Sequence, residues 1–268
     1  MNAFILLLTS HFLADFTFQP YRLSEKKKNS ILFLSLHALI YSLLTFIVCL
    51  LFGSMLQIIL FGIAISVSHI LLDFIKIKLD KKYNNVTYTF FSFIIDQVLH
   101  IGILLVISLF LNNFNTIGNF LVLKPYNFLN LRYFLNINLK KIFRILLAVV
   151  VVGYPSSVFI KHFFNFIFRN NVTKTQEISL DTSGEKHIKN VCQEDADNKA
   201  GSVIGILERL LVLVLGLMGL YASIALVLTA KSIARFKLLE DKSFAEKYLV
   251  GTLLSMLIAI LCILFCTL

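Results

Sequence analysis

Three segments of the chain carry a histidine and an aspartate four residues apart. They are His11 and Asp15 in HFLAD, His69 and Asp73 in SHILLD, and Asp96 and His100 in DQVLH. A fourth imidazole, His37, stands in LHALIY. On a helix, residues four apart share one face a turn from each other, so each pair can act as a unit. Imidazole and carboxylate together are the ligand set of a divalent transition metal such as zinc, manganese or iron. Such an ion brings the pKa of a bound water down to about 7 and makes it a nucleophile. The candidate ligands are therefore His11, Asp15, His37, His69, Asp73, Asp96 and His100. Gln19, Ser68 and Gln97 are candidates to orient them. Lys26 and Lys76 are candidates to meet an anionic head group.

These residues lie within long apolar runs. The chain is 58% hydrophobic and only 15% charged, with a mean hydropathy of +0.84. A soluble domain of 268 residues needs more polar surface than this. The runs do not alternate with a period of two, which excludes a barrel, and several approach the roughly 20 residues of a membrane-spanning helix. The predicted fold is all-α, a polytopic transmembrane bundle of about seven helices. They cover about 2–18, 31–52, 55–75, 90–111, 142–167, 203–229 and 248–267, with a tight turn near Gly53 and Ser54 between the second and third. Measured from those ends at 1.5 Å per residue, the seven ionisable residues fall in one layer about 10–15 Å thick. Residues 1–111 form a four-helix domain bearing this layer, and 112–168 an irregular connector with the fifth helix. Residues 169–201 read as a polar flexible linker, and 202–268 as a C-terminal helix pair.

Charge fixes an expected orientation. Arg22, Lys26, Lys27 and Lys28 follow the first helix, and Lys76, Lys78, Lys81 and Lys82 follow the third, while the turn at Gly53 has no basic residue. The positive-inside bias places the two basic loops in the cytoplasm. The basic stretch Lys231, Arg235 and Lys237 then falls on the wrong side, unless one later segment does not span; residues 232–247 also read as an amphipathic interfacial helix. The net charge of +10 is accounted for by helix-end lysines and arginines meeting anionic lipid, not by a nucleic-acid partner. Protein partners are not identified. The four cysteines have no metal or disulfide spacing. The first segment lacks a basic start and a cleavage site, so it reads as a retained helix. Within the sixth helix, Glu208 calls for a structural ion pair, and Arg209 can snorkel to the interface.

HFLADFTFQ at 11–19, LHALIY at 36–41, SHILLDFIKI at 68–77 and IDQVLHI at 95–101 resemble a family of bacterial integral membrane proteins, domain of unknown function 3307. GSVIGILERLLVLVLG at 201–216 with AKSIARFKLLEDKSFAEKYLVGTLLS at 230–255 resembles a tail that some members carry. The resemblance implies a bacterial inner-membrane location. More remotely, the helices bearing His and Asp four apart are similar to inner-membrane proteins labelled metal-dependent hydrolases. The resulting expectation is a membrane-embedded, metal-dependent hydrolase acting on a lipid or lipid-linked substrate near the cytoplasmic face. A transporter or proton/ion conduit would use the same residues, and a non-catalytic scaffold would use none of them for chemistry.

Overall fold

The computed structural model describes residues 2–19, 26–27, 30–50, 55–83, 85–113, 139–168 and 184–268. All secondary structure among them is helical. In chain order it comprises α1 (Asn2–Phe12), a π turn (Leu13–Thr17), α2 (Ile31–Leu50), α3 (Met55–Lys82), α4 (Val86–Asn113), α5 (Leu139–Val152), α6 (Tyr154–Ile167), α7 (Gly184–Leu217), α8 (Tyr221–Ala234), a 3-10 turn (Phe236–Glu240) and α9 (Lys242–Thr267). Five stretches are long and apolar enough to cross a membrane: Ile31–Leu50, Ile58–Lys82, Val86–Leu111, Lys140–Ile167 and Lys242–Thr267. The chain is a multi-pass membrane protein. It divides into two units, Met1–Val150 and Val151–Leu268.

In the first unit, α1 packs on α2 and α4, α2 on α3, and α3 on α4, closing a ring of four helices. Their core holds Ala3, Leu6, Leu7, Tyr41, Val48, Ile58, Ile65, Leu104 and Leu111. Close approach of α2 and α3 is helped by Gly62, where a Cβ would stand 2.6 Å from the Phe46 ring. Two boundaries differ from expectation. The third helix continues to Lys82 rather than ending near residue 75, because IKIKLDKK contains no Gly or Pro to stop it. Lys76, Lys78, Lys81 and Lys82 are therefore helical, not in a loop. The fourth helix starts at Val86 rather than 90. The expected turn at Gly53 and Ser54 lies outside the described residues, as do 114–138 of the connector.

The second unit departs further. The expected helix over 142–167 is two helices, broken at Gly153, because Pro155 has no N–H to give to Val151 O and its ring crowds that carbonyl. The expected helix over 203–229 is also two. Gly219, with φ of 75°, reverses the chain so that α8 returns along α7 and brings Lys231 to 2.6 Å from Glu208. Lys231 thus sits beside Glu208, not at the far end of one long helix. Nor is 232–247 a single amphipathic helix: α8 ends at Ala234, and Asp241 caps α9 by accepting from Ser243 N at 2.9 Å. Helix α7 begins at Gly184, ahead of the expected start at 203, while 169–183 of the expected linker lies outside the described residues.

Arg209 does not snorkel. It is buried, and its guanidinium donates to Val152 O at 2.7 Å, Gly153 O at 3.2 Å and Ser157 Oγ at 2.6 Å. The reason is the break at Gly153. Carbonyls freed in an apolar layer need donors, and a planar fork of N–H groups supplies several at once. Arg209→Met is expected to lower stability by about 3 kcal/mol or more, since it orphans buried carbonyls. Arg209→Lys is expected to recover only part of the loss. Thermal unfolding in detergent measures both.

Candidate metal centre

Four helices running alternately up and down bring their polar residues to one level. His11 comes from α1, His37 from α2, His69 and Asp73 from α3, and Asp96 and His100 from α4; all are buried. Asp15 comes from the π turn. There the Phe18 N–H donates to Leu13 O at 2.8 Å, a five-residue step that widens the turn. The wider turn lets Asp15 face both ways: Oδ2 lies 3.8 Å from His11 Nε2, and Oδ1 points at the imidazoles of α2 and α3.

The centre of the cluster is tight. His37 Nε2 and His69 Nε2 stand 3.1 Å apart. Asp15 Oδ1 is 3.5 Å from the first and 3.4 Å from the second. Asp73 Oδ2 is 3.4 Å from His37 Nε2 and 3.9 Å from His69 Nε2. A tetrahedral ion with bonds of about 2.0–2.1 Å to nitrogen and oxygen has ligand–ligand edges of about 3.3 Å. The five separations cluster around that edge, so each triad, His37–His69–Asp73 and Asp15–His37–His69, presents three donor atoms at the spacing a zinc-sized ion needs. Two facing Nε2 atoms cannot both carry a proton at 3.1 Å, which suits a pair of lone pairs turned toward one cation. Asp15 Oδ1 and the Nδ1 atoms of His11, His37 and His69 have no hydrogen-bond partner among the described residues. Buried polar atoms left unsatisfied together are costly and are typical of sites kept for a ligand rather than for stability.

The remaining candidates surround this centre. His11 Nε2 is 3.4 Å from Gln97 Oε1, and Gln97 Nε2 donates to Asp96 Oδ2 at 3.1 Å. His100 directs Nδ1 to the backbone carbonyl of Asp96 at 2.8 Å and lies 4.4 Å, centroid to centroid, from the His69 ring. With its amide oriented to satisfy both groups, Gln19 donates to Asp15 O at 2.8 Å and accepts from Lys27 Nζ at 2.9 Å. Ser68 spends its hydroxyl on Ile65 O of its own helix and does not orient the cluster. Lys26 lies over the Phe33 ring at 5.0 Å. Lys76 ion-pairs with Asp96 at 2.8 Å. Glu208 pairs with Lys231 in the second unit and is not a member of this layer. That unit has its own small cavity, about 10 Å³ and lined by Glu208, Arg209 and Lys231, with room for about one water.

Lys27 and Tyr41 escape a reading of spacing alone, and Lys76, expected at a head group, has a partner inside the layer. Lys27 reaches Asp73 Oδ2 at 3.0 Å, Lys76 pairs across helices with Asp96, and Tyr41 stacks flat on the His69 ring at 3.6 Å. Their signal was present but unspecific: Lys76 stands three residues after Asp73, and Tyr41 four after His37. Beyond the polar layer, on the same side of all four helices, come Leu6 and Leu7, Tyr41 and Val48, Ile58 and Ile65, and Leu104 and Leu111. The layer is closed by apolar packing on that side. Its opposite rim carries Lys27 and Lys76.

The Lys76–Asp96 pair gives a test of this electrostatic layout. Lys76→Leu alone leaves a buried carboxylate without its cation and is expected to cost about 3–5 kcal/mol. Lys76→Leu combined with Asp96→Leu is expected to return to within about 1 kcal/mol of the parent, as well-packed apolar replacements of buried pairs do. A double-mutant cycle by chemical unfolding in micelles reads the difference.

No curated protein and no solved structure matches the chain. Residues 3–125 match the model of the family described as protein of unknown function (DUF3307), which spans α1 to α4 and all seven candidate ligands. This N-terminal region is similar to that family, and the match leaves the second unit outside it.

Proposed function

We propose that the first unit holds one divalent transition metal between Asp15, His37, His69 and Asp73 and hydrolyses a lipid or lipid-linked substrate at the cytoplasmic face of a bacterial inner membrane. The observation that carries this reading is the pair of facing imidazoles 3.1 Å apart, with a carboxylate oxygen of Asp15 and one of Asp73 each within 3.9 Å of both. Zinc, manganese and iron all accept imidazole and carboxylate. When bound, such an ion supplies an activated water at neutral pH.

The rest of the work falls to the chain. His11 is placed to take a proton within the layer, oriented by Gln97 and adjacent to Asp15. Tyr41 fixes the plane of His69 by stacking on it. The apolar core beyond the layer keeps water on one side only. Lys27 and Lys76 stand at the rim from which a substrate in the leaflet would approach.

A proton or ion conduit is the second reading. It is supported by the near-continuous run of polar groups from Lys27 through Asp73, His37, His69, Asp15 and His11 to Gln97 and Asp96. The apolar closure beyond His100 weighs against it, because a conduit needs an exit on both sides. Proton flux in proteoliposomes that Asp73→Asn abolishes would favour the conduit.

Metal analysis of detergent-purified protein tests the leading reading. About one transition metal per chain is expected, falling severalfold in His37→Ala and in His69→Ala. Added zinc is expected to raise the unfolding temperature of the parent and not of these variants. Metal-free protein that zinc does not stabilise contradicts the proposal.

A further inference from the structure

The two lysines at the rim are an odd expense if the cluster only binds a cation. Ammonium groups repel a metal, and buried ion pairs add little net stability. Each lysine nevertheless sits on a carboxylate of the layer: Lys27 Nζ on Asp73 Oδ2 at 3.0 Å and Lys76 Nζ on Asp96 Oδ2 at 2.8 Å. The side chains of Lys27 and Lys76 are 15% and 26% exposed, whereas their partner carboxylates are 6% exposed. The cations therefore form the outer edge of the site and the anions its floor.

Charge balance indicates what the edge is for. With neutral imidazoles, the carboxylates of Asp15, Asp73 and Asp96 exceed the ammoniums of Lys27 and Lys76 by one negative charge. One divalent ion reverses that to one positive charge, in surroundings where an uncompensated charge is expensive. A neutral ester or amide leaves that charge in place until the bound water loses its proton; an anionic substrate answers it on binding.

The lysines can also turn outward without stripping their partners. Asp96 Oδ2 keeps the Gln97 Nε2 donor at 3.1 Å, and Asp73 Oδ2 would keep the metal ion itself. An ammonium has three N–H donors, and Lys76 places one of them on Asp96. Phosphoryl oxygens suit this layout because they can bridge a metal ion and flanking cations at once.

We propose that the substrate carries an anionic phosphoryl group, which Lys27 and Lys76 hold beside the metal. This inference rests on the metal-site reading above. The probe is zinc-loaded protein titrated with inorganic phosphate, and, in a second arm, reconstituted in nanodiscs of phosphatidylcholine with or without phosphatidic acid. Phosphate is expected to raise the unfolding temperature saturably. Lys27→Ala and Lys76→Ala are each expected to raise the half-saturating concentration at least tenfold, while zinc stays at about one per chain. Lys76→Arg is expected to stay within threefold of the parent. An effect from phosphatidic acid alone identifies a lipid head group; an effect in both arms identifies phosphoryl recognition independent of the lipid.

If the Lys76→Ala protein does not purify folded, Lys76→Gln and the comparison of phosphate with acetate on the parent protein still decide. Zinc bound without a phosphate effect in either arm overturns this inference and leaves the metal reading standing. So does an equal response to acetate, or phosphate binding unchanged in both alanine variants. Absence of zinc from the parent overturns both.

Discussion

Two imidazole nitrogens, one on α2 and one on α3, face each other at 3.1 Å with a carboxylate oxygen on either side. That contact constrains the first unit more than any other. It requires α2 and α3 to approach closely, as Gly62 permits beside Phe46. It requires Asp15 to reach in from α1, which the π turn at Leu13–Thr17 allows. It requires Asp73 to stand beside two imidazoles, where Lys27 reaches it at 3.0 Å. Strip away the polar layer and an ordinary bundle of apolar helices remains; with it, the bundle carries several buried polar atoms that packing alone does not satisfy.

Cost and benefit can be separated along the helix axes. On one side of the layer, leucines, isoleucines and a valine from all four helices pack into a core that contributes stability and excludes water. On the other side, lysines neutralise carboxylates at the rim. Between them lie four histidines and three aspartates, a density of ionisable groups that membrane proteins keep where chemistry or transport occurs. The second unit spends its buried charge differently. There Arg209 holds together a helix broken at Gly153, which is a structural use.

The candidate ligands were legible because the helical period converts a four-residue spacing into a shared face, and because apolar runs mark depth. His11, Asp15, His37, His69, Asp73, Asp96 and His100 could thus be assigned to one layer before any contact was known. The lysine partners were not legible, since a basic residue near a helix end reads equally as a topology signal. Taking the third helix to end near residue 75 hid Lys76 in a loop, although nothing in IKIKLDKK stops a helix. The apolar runs at 142–167 and 203–229 concealed two breaks for a related reason. Hydropathy reports depth in the membrane but not backbone direction, and only the local signals at Gly153–Pro155 and Gly219 carried that information.

The central claim is that the facing imidazoles and carboxylates form one metal-binding centre. X-ray absorption at the zinc edge of the loaded protein tests it most directly. The expected spectrum is a four-coordinate shell of nitrogen and oxygen at about 2.0–2.1 Å with the outer-shell scattering of two imidazoles. That scattering should be reduced to one imidazole in His37→Ala. A six-oxygen shell without imidazole scattering, or a shell indifferent to His37→Ala, would contradict it.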